Sequence, residues 1–118
     1  MKTALAEMQA YVTRDASTIR ELLHPDRGQS VNQSLAEASI PPGTTTLLHR
    51  HRRSEEIYHV THGQGRMTLG DTVLDIAVGD SILIRPGTPH CVENTGREPL
   101  RILCCCAPAY SHDDTEIL

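Results

Sequence analysis

Two histidines, His49 and His51, stand one residue apart in the stretch LLHRHRRSEEIYHV, and the carboxylates Glu55 and Glu56 follow within five positions. On an extended strand, residues i and i+2 project to the same face. His49 and His51 therefore lie side by side with Arg50 turned away, an arrangement in which two imidazoles can chelate one metal ion. Glu56 begins the next alternating run, and a bend through Arg52, Arg53 and Ser54 returns its carboxylate over the pair. A third imidazole, His90, follows the turn RPGTP and opens another strand. In an antiparallel barrel that strand can lie beside the first. Such a mixed N/O donor set suits Fe(II), Mn(II), Ni(II) or Zn(II). It leaves open coordination positions for a substrate oxygen or dioxygen, or for Lewis-acid chemistry.

The elements that must position these residues read as strands. From residue 31 the chain runs in short apolar segments cut by turn residues: SLAEASI into Pro41-Pro42-Gly43, EEIYHVTH into Gly63, RMTL into Gly70-Asp71, TVLDIAV into Gly79-Asp80, SILI into Arg85-Pro86-Gly87, and LRILCCC into Pro108. Turn signals every 8–12 residues with no long helical pattern predict an all-β sandwich or barrel. Asn94-Thr95-Gly96 reads as a hairpin turn. The expected organisation is an N-terminal arm and loop over 1–30, the barrel over 31–110 and an acidic tail over 111–118 extending beyond it. Within the arm, Thr18 and Glu21 have capping-box spacing, so DASTIRELL allows a short helix or an extended arm.

Composition narrows the function classes. The 118 residues include three Tyr but no Phe or Trp, so a single modest core must come from aliphatic and sulfur side chains. A metal or a partner subunit would stabilise it. A net charge of −4 argues against nucleic-acid binding. No run is long enough to span a bilayer and no signal peptide is visible, which points to a cytoplasmic protein. Cys91, Cys104, Cys105 and Cys106 do not form a disulfide framework. In the CCC run, Cys104 and Cys106 share one face and Cys105 takes the other, as small buried hydrophobes would.

The two histidine-bearing segments resemble the motifs of the cupins, small metal-binding double-stranded β-helix (jelly-roll) barrels. The first family motif is G, five residues, H-x-H, three or four residues, E, six residues, G. Here it reads Gly43, TTTLL, His49-Arg50-His51, RRSE, Glu56, IYHVTH, Gly63. The second is G, five residues, P-x-G, two residues, H, three residues, N. Here it reads Gly79, DSILI, Arg85-Pro86-Gly87, TP, His90, CVE, Asn94. Arg85 stands where the family has proline, which would place an arginine near the pocket rim. The resemblance covers roughly residues 36–108 and is that of a small single-domain monocupin, all-β with a short irregular or helical N-terminal arm. It implies His49, His51, Glu56 and His90 as ligands of one divalent metal per chain, with Glu56 preferred to Glu55 by its spacing to Gly63.

Two functions follow from the resemblance. One is a mononuclear metalloenzyme of dioxygenase, isomerase or lyase type, acting on a small oxygen-bearing metabolite, anionic or enolisable. The alternative is a non-catalytic small-molecule binding or sensing module with a structural metal. Tyr58 and Val60 share the parity of Glu56 and should point inward, which makes Tyr58 the candidate catalytic residue. Ile57 and His59 should point outward. Cys91 should face away from the metal, so no Cys–His pair is expected with His90. His24, His59, His62 and His112 lack partners at ligand spacing and read as surface residues. A small-molecule ligand and, by analogy with cupins, a homodimer are the expected partners.

Overall fold

The computed structural model describes residues 1–118. In chain order the strands are β1 (Tyr11–Val12), β2 (Thr18–Leu23), β3 (Ser34–Ile40), β4 (His49–His51), β5 (Glu55–His62), β6 (Gln64–Leu69), β7 (Thr72–Ala77), β8 (Ser81–Ile84), β9 (His90–Asn94), β10 (Leu100–Ala107) and β11 (Thr115–Ile117). The remaining regular structure is three single 3-10 turns, at Leu5–Glu7, Pro25–Arg27 and His112–Asp114. No helix is long and apolar enough to cross a membrane.

Side-chain alternation decides the architecture. On β10, Leu100, Ile102, Cys104 and Cys106 are buried, and the residues between them are more exposed. On β5, Glu56, Tyr58 and Val60 are buried while Ile57 faces out. Strands with one buried face are satisfied by stacking two sheets. One sheet has six strands in the order β1-β2-β3-β10-β5-β8, and the other has five in the order β11-β4-β9-β6-β7. This is the all-β barrel that the resemblance implies. Its core holds Val60, Met67, Ile76, Ile84, Val92, Leu100 and Ile102, each at most 2% exposed. Each such side chain contributes about 1.5–3 kcal/mol when buried, so the absence of Phe and Trp is offset by many small members.

One turn needs its glycine. Gly63 joins β5 to β6 at φ 80°, and a Cβ there would meet the carbonyl oxygen of Pro99 at 2.7 Å. The Asn94-Thr95-Gly96 turn does not close a hairpin, because β9 and β10 lie in different sheets. Its residues carry the chain across the barrel instead. The Asn94 amide donates to the carbonyls of Ile40 and Glu98, both at 2.8 Å, and its Oδ1 accepts from Gly96 N at 2.9 Å.

Both termini join the sheets. The arm residues Thr18–Leu23 take the extended form and pair with β3, which buries Ile19. Residues 115–117, expected to extend beyond the barrel, pair with β4 in the register Thr115↔His51. Pairing gives their backbone groups partners that a free tail would leave to water. His24 is likewise not a surface residue. It is 6% exposed, its Nε2 bonds the Tyr110 carbonyl at 2.8 Å, and its Nδ1 accepts from Asp26 N. It pins the arm to the segment after β10.

Candidate metal centre

The three sequence-predicted imidazoles meet on the five-stranded sheet. His49 and His90 are directly paired across β4 and β9, with ring centroids 4.2 Å apart. His51 follows on the same face of β4, its ring 5.2 Å from His49 and 5.5 Å from His90. Their ligand nitrogens all lie within 4.8 Å of one another, and all three residues are buried. Glu56 reaches in from β5 on the opposite sheet. Its Oε1 lies 3.2 Å from His51 Nε2 and 3.5 Å from His90 Nε2. Glu55, one residue earlier, is exposed.

Hydrogen bonds behind the rings fix which nitrogen faces the cavity. His49 Nδ1 lies 2.9 Å from the Leu47 carbonyl, and His90 Nδ1 lies 2.9 Å from the Thr88 carbonyl. A carbonyl only accepts, so both Nδ1 atoms carry the proton. His51 Nδ1 lies 3.0 Å from Thr115 Oγ1, whose own proton goes to the Ser111 carbonyl at 2.8 Å. Thr115 must therefore accept from His51. All three Nε2 atoms then present lone pairs inward, the tautomer a metal site requires.

That leaves lone pairs facing lone pairs. Neither Glu56 Oε1 nor His90 Nε2 has a hydrogen-bond partner in the protein, although both are fully buried. Buried polar atoms without partners cost about 1–3 kcal/mol each, and a cation between them would offset that cost. The donors present fit a divalent metal: three neutral imidazoles and one carboxylate. Without one, His51 is the ring that gathers a proton. Burial pulls its pKa down, but the Glu56 carboxylate, 3.2 Å from its Nε2, raises it overall. Burial would raise the Glu56 carboxyl, yet the facing His51 and His90 bring it down to about 2. Burial and the neighbouring His90 lower His49.

The site opens on a cavity of about 50 Å³ between the sheets. A water fills about 10–15 Å³ by this measure, so there is room for roughly four water-sized groups. Tyr58 lines it, 7% exposed, with its ring 6.0 Å from that of His90. Burial pushes the Tyr58 hydroxyl well above its ordinary range and Glu56 adds to this, so it stays protonated. Arg85 is exposed and does not line the cavity.

Sequence reasoning missed three residues here. Thr115 comes from the tail. Cys106 pairs with Glu56 across β10 and β5, and its thiol donates to Glu56 Oε2 at 3.1 Å. Burial and Glu56 both push that thiol upward, so it remains a donor. Asp15, from the loop before β2, brings Oδ2 to 3.6 Å from His49 Nε2. The inward parity of Cys106 is legible on its strand, but nothing local links Asp15 or Thr115 to the histidines.

Comparison with known proteins agrees with this fold. The uncharacterized protein MJ1618 of Methanocaldococcus jannaschii is 53% identical over all 118 residues, which cover 94% of its length. The oxalate-binding protein of Thermotoga maritima is 34% identical over 68 residues, 58% of this chain and 56% of that one. A predicted oxalate decarboxylase structure from T. maritima superposes with a TM-score of 0.80 at 24% identity, covering 92% of this chain and 99% of that one. Pac13, a nucleoside dehydratase of Streptomyces, superposes with a TM-score of 0.78 at 19% identity, covering 100% of this chain and 90% of its own. At these identities the structural likenesses establish the fold alone. The cupin domain model matches residues 36–106, and the chain belongs to the cupin family.

Proposed function

We propose that the protein is a mononuclear divalent-metal cupin enzyme acting on a small oxygen-bearing metabolite, by dioxygenase, isomerase or lyase chemistry. The observation that carries this reading is the donor-starved cluster, in which Glu56 Oε1 and His90 Nε2 lie buried and unpartnered beside His51. His49, His51, Glu56 and His90 would hold one Fe, Mn, Ni or Zn ion. A bound divalent ion supplies Lewis acidity, or redox chemistry when the metal is iron.

The chain's own contribution is positioning and proton placement. Thr115, Leu47 and Thr88 hold the three rings in one tautomer. Tyr58 is the catalytic residue of this reading. Its raised pKa keeps it protonated, so it serves as a hydrogen-bond donor to a substrate oxygen and not as a base. The apolar walls, Val92 and Ile102 among them, limit water around the reacting group.

The names of the relatives, which concern oxalate binding and nucleoside dehydration, support a small-molecule ligand for this barrel. A second reading is a binding or sensing module with a structural metal. The small cavity and the lack of a base at Tyr58 favour it. The test is metal-loaded protein screened for dioxygen uptake and for turnover of small carbonyl and hydroxyl compounds. Turnover that Tyr58→Phe lowers supports the enzyme; full metal occupancy with no turnover across the panel supports the module.

A homodimer is part of the proposal. Ile57 and Leu83 pair across β5 and β8 on the outer face of the six-stranded sheet, 44% and 46% exposed. A sedimentation mass of one chain would overturn it.

A further inference from the structure

The loop between β1 and β2 brings to the cavity a carboxylate that the ligand set does not use. Resting on the metal reading above, we propose that Asp15 sets the ligand class of this pocket. Its free oxygen accepts a hydrogen bond from a hydroxyl of a metal-bound ligand, and its charge turns away small dianions. The pocket then takes a neutral, hydroxyl-bearing molecule.

The loop is built to aim one oxygen. Asp15 Oδ1 is saturated, accepting from the Thr13 hydroxyl, from Ser17 Oγ at 2.6 Å and from Ser17 N at 3.0 Å. Oδ2 accepts nothing from the protein and lies 3.6 Å from His49 Nε2, with the side chain 13% exposed. His49 has its proton on Nδ1, toward the Leu47 carbonyl, so no proton links Oδ2 to the ring. The Asp15 carbonyl accepts from Leu47 N at 2.8 Å, which locks the loop to the segment just before His49. The next residue, Ala16, is held at φ 73°, a conformation that residues with a Cβ seldom adopt. Oδ2 therefore faces the cavity with no protein donor, and a hydroxyl-bearing guest can take the place of the water that would otherwise satisfy it.

Charge fixes the rest. No Lys or Arg lines the cavity, while Asp15, Glu21 and Glu56 do. Two positive charges on a metal against three carboxylates leave the pocket at a net charge of −1. Hydroxyls of Thr13, Ser17, Thr46 and Tyr58 complete the polar part of the wall. An anionic ligand would have only the metal to attract it and would meet Asp15 at close range.

The experiment uses Mn²⁺-loaded protein at pH 7 and two probes: oxalate, a dianion, and glycolamide, a neutral chelator that keeps its O–H when it binds a metal. Binding is read by calorimetry and by the change in the Mn²⁺ paramagnetic resonance spectrum. The wild type should prefer glycolamide. Asp15→Asn keeps an oxygen for Thr13 and Ser17 and replaces Oδ2 with an N–H donor. It should gain oxalate affinity by about tenfold or more and lose affinity for glycolamide. A wild type that prefers oxalate overturns the proposal whether or not the variant folds. Oxalate affinity in Asp15→Asn within about twofold of wild type overturns it too. Protein that takes up no Mn²⁺ overturns the metal reading and this proposal with it, whereas a Mn²⁺-loaded protein that favours oxalate sinks this proposal alone.

Discussion

Thr115 Oγ1 lies 3.0 Å from His51 Nδ1 and, having given its proton to Ser111, must accept the one from the ring. A residue near the chain's C-terminus thereby dictates that His51 offers its Nε2 lone pair to the metal centre. Thr115→Val keeps the shape of the side chain and removes the acceptor. Metal affinity should fall by about 10- to 100-fold while the barrel stays folded. Competition against a fluorescent chelator measures the first effect, and circular dichroism checks the second. Unchanged affinity would show that the tautomer is set elsewhere.

The proton that His51 collects in the absence of metal must leave when metal binds. Its pKa lies above the ordinary imidazole range, through the net attraction of Glu56 against the opposing effect of burial. Competition by protons therefore begins above about pH 6.5 and deepens as pH falls. Metal affinity should decline monotonically on acidification from neutral pH, with proton release on binding visible in calorimetry across buffers of different ionisation heat. A pH-independent affinity would contradict the assignment of His51.

Asp114 ties the tail to the bend between β4 and β5. Its carboxylate accepts from Arg53 N at 2.9 Å and Ser54 N at 3.1 Å. Burial alone would raise its pKa, but these backbone donors, with the Arg53 charge, hold it below the usual carboxylate range. A depressed folded pKa means that the stabilisation is present above the unfolded value, about 3.9, and is lost as pH falls through the lower folded one. Asp114→Ala should cost about 1.5–3 kcal/mol at pH 7 in urea unfolding. The difference from wild type should shrink toward pH 2, and a constant difference would speak against the capping role.

Much of this centre is visible in the one-dimensional text, because strands repeat every two residues. The parity of His49 with His51 and of Glu56 with Tyr58 places each pair on one face, and the cupin spacing ties in His90 from the distant strand β9. The burial of Cys104 and Cys106 against Cys105 follows from the same period. What stays hidden depends on sheet order. Residues 115–117 contact β4 only because β11 closes the edge of the five-stranded sheet. Asp15 reaches His49 through a loop whose backbone pairing to Leu47 spans thirty-two positions. His24 looks like a loop histidine until its partner, the carbonyl of Tyr110, is brought across the barrel. Such contacts carry no local signature, since the chain's turns and register create them.

Tyr58 separates chemistry from packing. Its side chain lines the cavity and its hydroxyl bonds no protein group, so removing it leaves nothing in the protein unpaired. Tyr58→Phe should keep metal content and move stability by less than about 1 kcal/mol. If the barrel is an enzyme, turnover should fall by about 10²- to 10⁴-fold with ligand affinity far less affected. A variant with full turnover would remove Tyr58 from the mechanism.

The most direct test of the metal centre is a crystal of the protein grown with Mn²⁺ and measured with anomalous diffraction. One peak should appear between the sheets, bonded to Nε2 of His49, His51 and His90 and to a Glu56 oxygen, and it should vanish in His51→Ala. An ion bound elsewhere, or none at all with the four side chains in their present places, would contradict the account.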